Sequence, residues 1–298
     1  MNTILSRSID DLTRDEVAML PTDDEIMKYD EIGWHVSPII IPDELLDNAL
    51  AAVDSYYAGD RDFDMVSSDG IADDDLTDKV IRNNEFVTLQ KKEFQNLGFY
   101  KMVGATAAVL AKTHSIRLFA DSLISKKPAK AQEKGIVGWH SDKAYWPTCT
   151  SDHMLTAWIP LQDVTLDMGP LMHIDHSHKW KDDTKLKSFY SFNNQNLNDF
   201  DTYLSSDKPD HSRSYMTIKR GQVSFHNCHT IHSSHPNTST MDRVALAVHF
   251  QDHRNTYQKA YKEDGQLIEI GYDKLCKATP DADPDYSSSA IFPVVYNG

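Results

Sequence analysis

From Ile116 onward the chain breaks into short runs: 116–124 (IRLFADSLI), 153–162 (HMLTAWIPLQ), 170–174 (PLMHI), 222–226 (QVSFH) and 243–251 (RVALAVHFQ). Each contains β-branched or aromatic residues, and Gly, Pro, Asn and Asp separate them, which is the pattern of strands and turns. A chain built this way is expected to be mainly β, a sandwich or jelly roll with helices packed outside it. No internal repeat or low-complexity tract competes with that expectation.

The preceding segment has a different texture. Its first thirty residues are acidic, and Thr22-Asp23 before Glu25-Ile26-Met27 has the form of a helix start. Residues 33–41 read as a strand. Pro42-Asp43-Glu44 then opens a helix in which Leu45, Leu46, Ala49, Leu50 and Val53 recur at helical spacing. Residues 100–112 predict another helix, and 59–78 an Asp-rich polar loop. A second polar stretch, 180–215, interrupts the β body, and insertions of that length are often lids or binding loops. The 298 residues therefore read as one domain: a mostly helical support (1–115), a β core with an insertion (116–252) and a C-terminal cover (253–298).

Charge and cysteine content narrow the function. Thirty Lys and Arg against 45 Asp and Glu give a net charge of −15. That disfavours nucleic acid, which needs a clustered basic surface, and anionic membranes. Cys149, Cys228 and Cys276 are few, odd in number and far apart, which fits a reducing cytosol better than a disulfide framework. No apolar run has signal-peptide or membrane-span length. The expectation is a soluble, cytoplasmic protein whose partner is a small molecule. With 14 His and 3 Cys, metal chemistry here would use imidazole and carboxylate.

Two stretches concentrate such ligands. In Gly138-Trp139-His140-Ser141-Asp142, residues two apart on a strand share a face, so His140 and Asp142 can aim at one metal ion. Residues 221–243 (GQVSFHNCHTIHSSHPNTSTMDR) place His226, His229, His232 and His235 at every third position. One imidazole from this run would complete two His and one carboxylate, the facial triad of non-haem Fe(II) oxygenases, which leaves coordination positions open. Such an iron can chelate a 2-oxo acid and still bind O₂. The far carboxylate of the 2-oxo acid then needs a cation, and Arg243 offers a planar fork that matches it. The rival is a zinc site built from the four-histidine run, but a period of three spreads over both faces of a strand and no thiolate pair supports it.

The order of these motifs resembles the phytanoyl-CoA dioxygenase family of Fe(II)- and 2-oxoglutarate-dependent oxygenases. His140 and Asp142 match its metal strand, and 232–239 (HSSHPNTS) followed by Arg243 matches its distal motif. Leu123-Ile124-Ser125-Lys126-Lys127-Pro128, Ala157-Trp158, Met168-Gly169-Pro170-Leu171 and Asp175-His176-Ser177-His178 match stretches upstream of the metal strand and between the ligands. Met168, Asp175-His176 and Ser233 depart from the family pattern, outside the metal ligands. The resemblance spans about 30–255 and implies a double-stranded β-helix of the jelly-roll, cupin-like kind. It selects His232 as third ligand, leaving His226, His229 and His235 to surface, core or pocket-lining roles. It implies Fe(II), 2-oxoglutarate and O₂ as cofactor and co-substrates, with Arg243 and Ser234 at the distal carboxylate and Lys126 and Trp158 as further candidate contacts. Halogenases similar to this family have Gly or Ala where this chain has Asp142, so hydroxylation or another oxidation is expected.

The expected reaction is hydroxylation of an unactivated C–H bond in a small polar metabolite, alkaloid or amino-acid-derived, with an amine- or guanidine-bearing one suiting the acidic balance. The alternatives are an acyl-CoA or lipid-like substrate and, in another class, a non-catalytic metal-binding jelly roll. Trp139, Tyr145, Trp146 and Trp158 are candidate cavity walls, with 180–215 and 253–298 as candidate covers.

Overall fold

The structure is a computed structural model and describes residues 11–65, 80–129, 135–180, 194–208, 210–288 and 290–298. The helices are α1 (Arg14–Val17), α2 (Asp23–Ile32), α3 (Asp43–Tyr57), α4 (Lys92–Gly98), α5 (Lys101–Leu110) and α6 (Asn194–Asp207). The strands are β1 (Trp34–Val36), β2 (Ile81–Glu85), β3 (Ser115–Lys126), β4 (Val137–His140), β5 (Leu155–Pro160), β6 (Leu171–Ile174) and β7 (Arg213–Tyr215). They continue as β8 (Ser224–Asn227), β9 (His232–Ser234), β10 (Arg243–Asp252), β11 (Ala260–Tyr261), β12 (Leu267–Ile268) and β13 (Val294–Asn297).

Helix α2 starts where the sequence placed it. Thr22 and Glu25 form a reciprocal capping box, and Gly33 ends the helix at φ +91°. The strand expected at 33–41 is only Trp34–Val36, because Pro38 has no N–H to give a ladder. Strand β2 and helix α4 carry weak sequence signals: β2 reads IRNNE, with no apolar alternation. The 1–115 segment is thus less purely helical than expected, since β1 and β2 both join the larger sheet.

That sheet has seven strands, in the order β1-β8-β5-β10-β3-β13, with β2 also pairing β3. The smaller sheet runs β4-β9-β6-β7, and every pairing in both sheets is antiparallel. Between β4 and β10 the chain passes repeatedly from one sheet to the other, the winding of a double-stranded β-helix. The pleat of β10 divides the interior. Val244, Leu246, Val248 and Phe250 belong to the large core shared with α3, α4 and α5. Ala245 and Ala247 face the other way, between the sheets, where small side chains leave room for a cavity.

A buried acid sits on the helix side. Asp121 on β3 is fully buried and accepts Thr88 Oγ1 at 2.5 Å and Thr88 N at 3.3 Å. Burial outweighs these bonds and pushes its pKa up to about 7. A carboxyl raised in the folded state holds its proton while the unfolded chain has lost it. Stability therefore falls as pH rises from about 4 to about 7 and levels off above, by about 4 kcal/mol at most. Asp121→Asn keeps a donor and an acceptor without the charge. Urea melts at pH 5 and pH 8 should show the variant gaining on the wild type at the higher pH; an unchanged difference would contradict this.

Candidate active site

His140 closes β4 and His232 opens β9, and the two are directly paired across the sheet. His140 Nδ1 lies 2.8 Å from Gly138 O, and His232 Nδ1 lies 2.9 Å from Thr230 O. Each imidazole thus donates Nδ1–H to the carbonyl two residues back, which fixes the tautomer and leaves Nε2 as a lone pair. Asp142 Oδ1 stands 4.0 Å from His140 Nε2 and 3.7 Å from His232 Nε2. Among the described residues these three form the group able to hold a metal ion, with ligand atoms all within 4.8 Å of one another. Burial lowers the pKa of both imidazoles, His232 strongly, so both present neutral nitrogen.

Asp142 converges on the histidines by a different route from the one its spacing suggests. Strand β4 stops at His140, and Asp142 lies beyond it in helical conformation, at the head of a short turn over 143–145. Its second oxygen is anchored on the opposite sheet. Thr156 Oγ1 donates to Oδ2 at 2.5 Å, His226 Nε2 lies 3.3 Å away and His249 Nδ1 3.6 Å.

The other histidines of the run separate. His226 is buried beside Asp142, His229 reaches Asp152 at 2.9 Å, and His235 is exposed. No four-imidazole zinc site forms among them.

Six residues along β10 from His249, Arg243 heads the strand and is paired with Lys126 on β3. Arg243 is 1% exposed and Lys126 0%, although an exposed lysine is the commoner case. Arg243 Nη1 donates to Gly169 O at 2.7 Å, and its guanidinium stands 5.5 Å from the Trp158 ring. Gly169 has φ +63°, and a Cβ there would lie 2.3 Å from His235 O, so this turn requires glycine. Lys126 Nζ donates to Ser234 Oγ at 2.6 Å and to His235 O at 2.7 Å. Neither cation forms an ion pair with a carboxylate among the described residues. Burial lowers Arg243 to about 10, so it stays charged at neutral pH; burial and then Arg243 lower Lys126 well below its usual value.

A cavity of about 450 Å³ joins these groups. His140, Asp142, His232, Ser234, Arg243 and Trp158 all line it. Lys126 does not; it meets the cavity wall through Ser234, whose hydroxyl accepts a hydrogen bond from it. Tyr145 and Trp146 are walls as expected, but Trp139 packs with Phe200 in a separate cluster. The described part of the 180–215 insertion lines no part of the cavity; residues 181–193 lie outside the described residues, as do 66–79 of the acidic loop. The C-terminal segment does reach it, through Ile270, Gly271 and Tyr272.

Sequence reasoning missed Thr156, His249, Asn83 and Glu85, all of which line the cavity. The two-residue phase of Arg243, Ala245, Ala247 and His249 was a usable signal for His249. Nothing in the β2 sequence marked Glu85.

Comparisons with known proteins agree with this geometry. A probable α-ketoglutarate-dependent hypophosphite dioxygenase of Stutzerimonas stutzeri is 25% identical over 227 residues, 69% of this chain and 75% of that protein. The non-haem α-ketoglutarate-dependent carbocyclase SnoK of nogalamycin biosynthesis superposes with a TM-score of 0.66 at 21% identity, over 92% of this chain and 96% of that one. EctD from S. alaskensis, in a structure with bound Fe, gives 0.61 at 19% identity, over 87% and 84% of the two chains. Both share the fold. The family model for phytanoyl-CoA dioxygenase (PhyH) matches residues 35–245, which hold the His-Asp-His group and Arg243. By that match the chain belongs to the phytanoyl-CoA dioxygenase family and is a 2-oxoglutarate-dependent non-haem iron oxygenase.

Proposed function

We propose that His140, Asp142 and His232 hold Fe(II), that Arg243 and Ser234 hold the distal carboxylate of 2-oxoglutarate, and that the enzyme hydroxylates a C–H bond of a small polar metabolite. The observation that carries this reading is the buried Arg243. A guanidinium taken out of water with no carboxylate beside it is costly, and a ligand carboxylate repays that cost. It lies in the same cavity as two Nε2 lone pairs and a carboxylate oxygen that face one another.

Iron and 2-oxoglutarate, when bound, supply the activation of O₂ and the oxidising power. The chain's own residues position and exclude water. Gly138 O and Thr230 O fix the two imidazoles. Thr156 fixes Asp142, so that Oδ1 remains for the metal. Lys126 turns the Ser234 hydroxyl into a donor. Trp158 and Leu171 supply apolar wall between the two ends of the site.

The cavity volume supports a small substrate. About 450 Å³ must serve both co-substrate and substrate, which lies at the low end of the range for ligand pockets of roughly 300–1,000 Å³. An acyl-CoA would also need basic groups for its phosphates, and the chain's charge of −15 is a poor match. The test is succinate release from 2-oxoglutarate by the Fe(II)-reconstituted protein, with and without candidate metabolites. Substrate-stimulated succinate together with a hydroxylated product supports the reading. Failure of the protein to bind iron or to turn over 2-oxoglutarate under any condition would sink it.

A further inference from the structure

The two ends of the cavity carry opposite charge. Arg243 lies at one end. Away from it, on the edge strand β2, Glu85 lines the wall, half-buried, with Asn83 two residues earlier on the same face. Glu85 pairs with Ser122, and Ser122 pairs with Ala247. All three line the cavity, so Glu85 stands two strand spacings, about 10 Å, across the sheet from Ala247. Besides the proposed metal ligand Asp142, it is the one carboxylate among the described lining residues.

Its surroundings are built rather than incidental. Tyr272 Oη donates to Glu85 Oε1 at 2.9 Å. The Tyr272 ring is held edge-on between Phe86, at 5.2 Å, and Phe119, at 5.6 Å. Phe86, the residue after Glu85, is fully buried at φ +54°, a left-handed backbone that a bulky side chain rarely adopts. Strain of that kind persists only where surrounding structure enforces it, and it concentrates at ligand sites. Here it turns the chain sharply after β2, sending Phe86 under Tyr272 while Glu85 faces the cavity.

We infer that Glu85 is a specificity residue that binds a cationic group of the substrate, an ammonium or guanidinium, with Tyr272 orienting the carboxylate. This rests on the reading of the cavity as the substrate site and names the class of molecule it takes. An anionic substrate would be repelled at this wall, and a cation held there places carbons a few bonds away within the cavity's centre.

The test uses N-butylguanidinium and its neutral isostere N-butylurea as probes. Both are titrated calorimetrically into the full-length protein, with Fe(II) and 2-oxoglutarate under anaerobic conditions and again without them. The expected result is binding of the guanidinium about tenfold or more tighter than the urea, a preference that Glu85→Gln abolishes while 2-oxoglutarate affinity is unchanged. Equal binding of the two probes by the wild type overturns the inference without any variant, as does a Glu85→Gln protein that keeps the preference. If iron and 2-oxoglutarate fail to bind while the guanidinium preference persists, the proposed function fails and the Glu85 site stands.

Discussion

Asp142→Ala should yield a folded protein with neither iron nor turnover. The carboxylate is the one anionic member of the His-Asp-His group, and its loss leaves two imidazoles on adjacent strands. Loss of an outer partner of a metal ligand already costs roughly 10- to 100-fold. Loss of the ligand itself should therefore reduce succinate formation by more than about 100-fold. Metal analysis after anaerobic reconstitution should find iron in the wild type and little in the variant. The metal-free variant should still melt cooperatively, as the metal-free wild type does, which separates loss of the ligand from loss of the fold. A variant that keeps stoichiometric iron would refute the ligand assignment. One that loses iron only because it unfolds would move Asp142 from chemistry to structure.

Arg243→Leu should separate the co-substrate from the metal. Truncating one partner of a buried, hydrogen-bonded charge pair costs about 2–5 kcal/mol, which corresponds to a rise of roughly 30-fold or more in the 2-oxoglutarate concentration required. Iron content should be unchanged, since none of the three proposed ligands touches Arg243. Arg243→Lys should fall between the two, keeping charge but losing the planar fork. The thermal shift produced by 2-oxoglutarate should shrink in the same order. An unchanged 2-oxoglutarate requirement in Arg243→Leu would remove Arg243 as the anchor and leave a buried guanidinium without a role.

The reaction class was legible because it depends on local order: His-x-Asp, a β segment, His, then Arg eleven residues later. Strand periodicity located β3, β5, β6, β8 and β10 closely, since those strands are long or apolar enough to carry the signal. It failed at β2, whose IRNNE sequence becomes a strand only because β3 offers it an edge. It also set Asp142 beside the histidines on the wrong ground, since the residue reaches them from a turn rather than from the face of β4. Residues brought in from distant parts of the chain left no local trace. Thr156 meets Asp142 across fourteen residues and two sheets, and Tyr272 meets Glu85 across 187. Substrate recognition is written in such long-range contacts, which is why sequence order alone named the oxidant more readily than the molecule oxidised.

The direct pairing of His140 with His232 has a mechanical consequence. Among the described residues, strand β4 is the outermost strand of the smaller sheet and has β9 as its one ladder partner. An ion gripped by one imidazole from each strand is a rivet through that last seam. Iron held by the proposed ligands would therefore do more than arm the enzyme: it would fasten the rim of the barrel at a strand with a single ladder partner. Metal content and the integrity of this rim would then rise and fall as one equilibrium.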